Sequence, residues 1–501
     1  MTLANSNTGK PAMTAAVDGD MPTSVPPEQR GGAWGKSGTA WVLFEFARNP
    51  YYLLVVVYIF APYLARDVVG ANALADGMFD GMTPEAAARA ANAHGQAFVA
   101  GVTKWAGFAA ALTAPILGAA LDRGGKRKPL VAVFLFTLAA MASLLWFVQP
   151  GDAGISLFWV AVILIVGSTC FTYSEVIHNS MLADSGRPEV LPSISGHGLA
   201  LGNLAGTLLM LLIVVGFAMP AMMGWPFDAP LFGVNVAENE HYRLAGPIAA
   251  VWLCVFIWPF FMNCPDSGRR GASWVRAIRE GMLGLWNTIK KARDHKEIMK
   301  YLVARMIYAD GMQALLALGA VYVAGALNWN VVELVGYAVW LSIFATVGGF
   351  FGAFLDRVFG SRNALIVELS ALTVILFLTI SITQESILYG LIESERVLPG
   401  SIYSHTHDWA YLAIASLLGT FATACISSSR AMLVGMAPKH MMGEFFGLYA
   451  IAGTVTVWLG PLLVEIFTSA FNSQRIGMST ISALFLIGLI ALLRVKYPKQ
   501  T

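Results

Sequence analysis

The stretch Gly118-Ala-Ala-Leu-Asp-Arg-Gly-Gly-Lys-Arg-Lys-Pro129 lies between two long apolar runs, and it carries an acid followed at once by a dense basic cluster. A basic loop between two membrane spans is held on the cytoplasmic side, so this loop fixes the topology of the chain around it. Its opening returns 234 residues later as Gly352-Ala-Phe-Leu-Asp-Arg357, and the repetition predicts two halves of like design. The second copy is eroded beyond the arginine, running Gly360-Ser-Arg-Asn-Ala364. From the residues alone the stretch is either a topology-setting turn or a turn whose Asp122 has a further role, because topology does not require an acid.

The rest of the chain agrees with a membrane setting. It has 501 residues, 57% hydrophobic and 12% charged, with a mean hydropathy of +0.64, where a soluble domain has about 25% charged residues. Many apolar runs of about 20 residues make it a polytopic membrane protein. A net charge of +2, with no single large basic face, excludes nucleic acid as a partner. Cys170, Cys254, Cys264 and Cys425 lie in or beside the apolar runs without CxxC spacing, and read as buried, reduced residues.

The apolar runs predict spans at about 39–65, 97–121, 130–148, 155–182, 194–217 and 245–263, then 301–327, 332–355, 363–383, 409–432, 443–467 and 476–493. The fold class expected is therefore an all-α membrane protein with twelve transmembrane helices in two pseudo-symmetric six-helix bundles, 39–263 and 301–495. Residues 1–38 read as a disordered cytoplasmic tail without a signal-peptide core, and 496–501 as a second tail. The 66–96 loop is expected to hold a short helix capped at Thr83-Pro84-Glu85, and the loop from Gln384 to Asp408 to be polar and outside. Residues 264–300 form a linker with nine basic residues and Trp274, Ile278, Met282, Leu285 and Ile289 at helical spacing. That pattern is a basic amphipathic helix along the cytoplasmic face; a calmodulin-type target is the rival reading. Of the 32 basic residues, 23 fall on segments this topology puts inside and 5 on those it puts outside, so both termini are placed in the cytoplasm.

A second repeat aligns the halves. Met181-Leu182, Gly196 and Gly202 match Met432-Leu433, Gly447 and Gly453 at an offset of 251, and Ala47-Arg48 and Tyr51 match Ala304-Arg305 and Tyr308 at an offset of 257. Span 1 thus corresponds to span 7, span 4 to span 10 and span 5 to span 11, as parallel repeats about an axis along the membrane normal.

Charges within lipid are costly, about 2.5–3.5 kcal/mol each on insertion scales, so they face a cavity or a partner. Glu45 and Arg48 are three apart on one helix face. Counting about 1.5 Å per residue puts Glu175, His178 and Arg305 at a similar depth. Five such groups are read as an inner gate or the floor of a site, the alternative being a structural ion-pair network. Asp310 lies nearer the midplane, where desolvation favours the protonated carboxyl, and is read as a proton carrier or the partner of a substrate amine. The alternative is a carboxyl bonded to Tyr308 or a neighbouring helix. Gly311 would admit a close neighbour. Tyr51 and Tyr52, just after Pro50, are expected to place at least one ring in the cavity. Lys104 either snorkels or has a role. Glu175-x-x-His178 has di-iron spacing but no second copy, so no metal and no cofactor is assigned. Gly196, Gly198, Gly202 and Gly206 are expected to let span 5 pack closely on a neighbour. No His-Glu-x-x-His, Gly-x-Ser-x-Gly or phosphate-loop motif occurs, which argues against an enzyme.

The opening stretch resembles the loop between helices 2 and 3 of major facilitator superfamily transporters, through Asp122, Arg123, Arg127 and Lys128. That resemblance implies a cytoplasmic latch, with Asp356 and Arg357 as its second copy. More narrowly, Trp41-Val-Leu-Phe-Glu-Phe-Ala-Arg-Asn-Pro-Tyr-Tyr52 resembles the first span of the vacuolar-effluxer-like family, whose fungal members export amino acids from the vacuole. Ser195–Gly202, Ala304–Gly311 and Gly443–Tyr449 with Gly460-Pro461 are similar to it as well. Glu45 stands where that family usually has Asp, and Arg48 is an addition that binds an anionic group or pairs with Glu45. The chain is read as a monomeric secondary transporter of the bacterial or organellar inner-membrane kind moving a small polar solute, and the resemblance implies that the solute is an amino acid or short peptide. The acids and histidine within the spans point to proton coupling, with sodium as the nearer rival. The other class of function is a non-transporting scaffold acting through 264–300.

Overall fold

The computed structural model describes residues 35–121, 126–187, 190–266, 283, 286, 290, 292–438 and 441–497. Asp122, Arg123, most of the 264–300 linker and most of both tails lie outside the described residues. The helices follow one another as α1 (Lys36–Ala75), α2 (Pro84–Leu121), α3 (Lys128–Phe147), α4 (Leu157–Ser180), α5 (Ser193–Met223) and α6 (Glu240–Asn263). The second half gives α7 (Lys296–Ala326), α8 (Val331–Phe359), α9 (Ser361–Ile380), α10 (Thr406–Met436), α11a (Met442–Ala452), α11b (Leu459–Phe471) and α12 (Gln474–Leu493). Ten of these are long and apolar enough to cross a membrane. α2 and the α11a–α11b pair fill the two remaining places of the twelve-span pattern.

Three departures from expectation have local causes. Thr83-Pro84-Glu85 caps α2 itself, with Thr83 Oγ1 accepting from Ala86 N at 3.4 Å, so the short loop helix is the first turns of a 38-residue helix. The Ala-rich sequence that follows the cap lets the helix run on without a break. In α1, Pro50 cannot donate to the carbonyl of Phe46, and Trp252 Nε1 of α6 bonds that carbonyl at 2.9 Å instead. Just beyond, Tyr52–Tyr58 winds as a π-helix. Span 11, expected continuous, is interrupted by turns from Gly453 to Trp458. Pro461 there removes the amide that would have bonded Val457. The Gln384–Asp408 loop holds a small hairpin, β1 (Ser386–Ile387) antiparallel to β2 (Ile392–Glu393). All four cysteines are free.

α5 packs on α1 as its glycines require. A Cβ on Gly198 would lie 2.8 Å from the Trp41 ring, one on Gly202 3.1 Å from Glu45 O, and one on Gly206 would strike Leu53, whereas Gly196 faces open space. α7 packs on α12, and a Cβ on Gly311 would meet Leu484 and Phe485 at 3.1–3.3 Å.

The loops α1–α2, α3–α4, α5–α6, α7–α8, α9–α10 and α11b–α12 share one face, here the loop face; the chain ends share the opposite, terminal face. Several hydrogen bonds and ion pairs join the two bundles on the loop-face side of the α11 interruption. They are Arg66 Nη1 to Trp329 O (2.9 Å), Asn92 Nδ2 to Gly325 O (3.0 Å), Gln96 to Thr468 and Gln474 (3.1–3.2 Å), Arg89 to Glu385 (2.5 Å) and Lys104 to Glu465 (2.6 Å). The bundles are thus fastened to each other at the loop face.

Candidate functional site

In the first bundle, α1 and α4 bring four charged or titratable side chains together. The i, i+3 spacing sets Glu45 against Arg48, whose Nη2 donates to its two oxygens at 2.9 and 3.1 Å. Arg48 Nη1 donates to Phe171 O at 3.0 Å and lies 3.5 Å from Glu175 Oε2, and the guanidinium stacks 4.1 Å above the Phe171 ring. His178 is sandwiched between Trp41 and Phe44, with ring centroids 4.0 and 3.9 Å away. Its Nδ1 lies 3.2 Å from Glu45 Oε1, and its Nε2 lies 2.9 Å from Trp41 O. Arg48 and His178 are buried, at 3% and 0% exposure, while the Glu175 side chain is 47% exposed. The Arg48 charge is therefore neutralised by two carboxylates, and Glu175 presents most of the cluster's exposed surface. Tyr51 is buried against α4 under Gly167; Tyr52, stacked on Phe171 at 5.7 Å, is the half-exposed member of the pair.

The second bundle differs. Arg305 does not join the other four. Its Nη1 donates to Tyr449 O at 2.6 Å, and its guanidinium lies 3.4 Å over the Tyr449 ring. Applying the repeat offsets explains the separation: Glu45 corresponds to Leu302, Glu175 to Ile426 and His178 to Ser429, so no acid stands where Arg48 has its partners. Arg305 lines a cavity of about 250 Å³ with Tyr308, Gln313, Cys425, Ser429 and Arg430. Ser429 Oγ receives or shares the hydroxyls of Tyr301, Tyr308 and Tyr449 at 2.7–3.1 Å. Arg305 and Arg430 have no carboxylate partner among the described residues. By contrast, a space of about 400 Å³ between α5 and α6 is lined by Leu209, Pro247, Ile248, Trp252 and other apolar side chains and offers a polar solute nothing.

Asp310, one and a half turns from Arg305 toward the loop face, is 1% exposed. Its Oδ2 accepts the Gly460 amide of α11b at 2.9 Å, and its Oδ1 has no hydrogen-bond partner. The bond goes to a neighbouring helix, not to Tyr308, which bonds Ser429.

The family model described as "Vacuole effluxer Atg22 like" matches residues 184–501. The chain belongs to this family. Over nearly its whole length this Atg22-like chain is similar to an uncharacterized MFS-type transporter, YxiO, of Bacillus subtilis: 21% identity, covering 93% of this chain and 96% of that one. It is 24% identical to autophagy-related protein 22-2 of Emericella nidulans over 62% of this chain, a match that spans 53% of the fungal protein. Its fold is that of a D-xylose-proton symporter (TM-score 0.61, 8% identity, 92% of this chain and 98% of that one). It is also that of the nucleoside transporter NupG (TM-score 0.55, 12% identity, 92% and 100%). The Atg22-like chain is thus a multi-pass secondary transporter of the major facilitator superfamily, not an enzyme.

At the terminal face of this Atg22-like protein, Asp266 accepts the Arg127 and Lys128 amides at 2.8 and 3.4 Å, Arg127 Nη1 donates to Ser180 O at 2.9 Å, and Lys128 Nζ to Phe261 O at 2.7 Å. These bonds tie the α2–α3 turn to α4 and α6. Asp356 is half-buried and Arg357 exposed. Sequence reasoning missed Glu465, the partner of Lys104, and Glu368, which is fully buried and accepts Ser428 Oγ at 2.8 Å. Both are acids within apolar runs, so the costliness of a charge in lipid would have flagged them. His405, His407 and Asp408 converge at the loop face. There Asp408 is already committed, accepting Trp329 Nε1 at 2.7 Å and His405 N at 3.0 Å as the cap of α10.

Proposed function

We propose that this transporter moves a small polar solute bearing a carboxylate, an amino acid or related metabolite, by alternating access, and that Asp310 carries the coupling proton. The observation that carries the reading is Arg305: a cation on a polar cavity, without a carboxylate partner among the described residues, is the natural partner of a solute carboxylate. Glu175, the exposed acid of the first bundle, is the partner for the solute's amine. Asp310 supports coupling because it is buried, has no cation beside it and keeps one oxygen unpartnered. The same oxygen could hold sodium, which keeps sodium coupling as the second reading. The concentration of basic residues on the terminal face supports assigning that face to the cytoplasm of a bacterial inner membrane.

The test is uptake of a pooled, labelled amino-acid mixture into liposomes holding the purified protein, with and without an inward proton gradient. Uptake enhanced by the gradient is expected. Uptake enhanced by sodium alone would move the coupling to the second reading. No uptake under any driving force, preloaded exchange included, would overturn the amino-acid assignment.

A further inference from the structure

The interruption of span 11 is held from three sides by one helix. Arg305 of α7 donates to Tyr449 O at 2.6 Å, close to the carbonyl end of α11a. Thr456, within the interruption, donates through Oγ1 to Met306 O of α7 at 3.2 Å. Asp310 of α7 accepts the Gly460 amide at 2.9 Å, at the amide end of α11b. Each charge has the sign that the adjoining helix end favours: a cation where carbonyls emerge, an anion where amides emerge. A fourth contact leads to the other bundle. Gly107 of α2 lets Val457 and the Trp458 backbone approach to 3.2–3.3 Å of where a Cβ would stand, and Phe108 meets the Trp458 ring edge-on at 5.9 Å.

We propose that the 453–458 interruption is the coupling element of this transporter, clamped at one end by Arg305 and at the other by Asp310. A solute carboxylate on Arg305 competes with the Tyr449 carbonyl and frees the α11a end. Loss of charge on Asp310 weakens its hold on the Gly460 amide and frees the α11b end. Both events are thereby read by one segment that bears on α2, the helix that joins the bundles through Lys104–Glu465 and Gln96–Gln474. The proposal rests on the assignment of Arg305 and Asp310 above. The titratable and charged groups around Asp310 are few. α12 offers only Leu484 and Phe485 at the adjacent Gly311; on α7 itself Tyr308 bonds Ser429 and Arg305 bonds Tyr449; on α11b Glu465 is paired with Lys104 of α2. His295 packs against Phe445 in α11a, beyond the interruption.

The experiment is hydrogen exchange by mass spectrometry on the full-length protein in nanodiscs, following peptides that cover 453–460 and correcting for intrinsic rates. In the native protein, passage from mildly alkaline to mildly acidic buffer is expected to speed exchange in these peptides by roughly five- to thirtyfold, the scale of a charge at a helix end. In Asp310→Asn, which keeps an acceptor but no charge, exchange should already be raised and no longer respond to acid. Asp310→Leu should raise it further. Peptides of α1 around Glu45 report any general loosening and should not change. An acid response that persists in Asp310→Asn, or equal protection in native and variant proteins, overturns the proposal. The native measurement stands even where a variant does not fold. Because exchange is read without transport, an unresponsive interruption in a protein that still shows gradient-driven uptake sinks the coupling element alone; absent uptake with a responsive interruption sinks the solute assignment alone.

Discussion

Arg48 and Arg305 occupy equivalent places in the two bundles and live in opposite circumstances. Arg48 is enclosed by Glu45, Glu175, a backbone carbonyl and an aromatic face. Arg305 has a carbonyl and an aromatic face and, among the described residues, no acid. The helices beside them differ in the same sense. α5 runs unbroken through Gly202 and Met210, while its counterpart is interrupted at Gly453 and carries Pro461 where α5 has Met210. One half holds its arginine in an ion-pair network; the other leaves its arginine on a cavity beside an interrupted helix.

The largest effect expected from breaking this contrast is on stability. Arg48→Gln leaves Glu45 buried without its cation and should cost about 3–5 kcal/mol, whereas Arg305→Gln should cost about 1 kcal/mol or less, having no acid to strand. Denaturation of the two variants in detergent compares them directly, and equal losses would erase the distinction. Next, the contrast can be abolished by giving the second half the acids of the first. Leu302→Glu with Ile426→Glu should neutralise Arg305 and weaken solute binding roughly ten- to hundredfold, as Arg305→Gln does, from the loss of one charged hydrogen-bonding partner. Equilibrium binding to the purified double variant reads this. Asp310→Asn should lose gradient-driven uptake while keeping solute exchange, measured in the same liposomes; full gradient-driven activity would remove Asp310 from coupling. Pro461→Met, which gives span 11 the residue of span 5, restores one backbone donor. It should add about 0.5–1.5 kcal/mol of stability and slow turnover. The smallest effect is expected from Lys104→Met, which removes a partly exposed ion pair worth about 1 kcal/mol or less. It should modestly raise labelling of a cysteine placed at Asn92 on the loop face.

The architecture was legible because spans, basic loops and internal repeats are properties of composition and order. The Glu45–Arg48 pairing was legible too, since i, i+3 spacing brings side chains together whatever the tertiary setting. Glu175 and His178 were placed by depth alone, and depth sufficed because α4 packs on α1. Depth misled for Arg305, where lateral position decides the partner. The repeat offset, carried one residue at a time to Leu302 and Ile426, held the missing information. The interruption of span 11 was not legible from Pro461, because Pro50 in α1 also removes a donor and there the helix continues as a π-turn with Trp252 taking up the freed carbonyl. At Pro50 a side chain from a distant helix takes up the freed carbonyl, and only the packed structure shows that. The bonds across the loop face, such as Gln96 with Gln474, join residues far apart in sequence that carry no local signature.

The pairing of Glu45 with Arg48 also bears on how the chain is made. Span α1 reaches the membrane before α4 has been synthesised, so neither Glu175 nor His178 is there to receive it. An isolated charge entering lipid at that moment costs about 2.5–3.5 kcal/mol. Two opposite charges one turn apart can enter as a single dipole, closed by the bonds that Arg48 makes to both Glu45 oxygens. The later arrival of α4 then adds Glu175 and His178 to an ion pair already in place. The neutral unit that steadies the mature bundle is therefore also the form in which its first helix can be delivered, and a Glu45→Gln chain would meet its greatest difficulty at the translocon, before there is any bundle to destabilise.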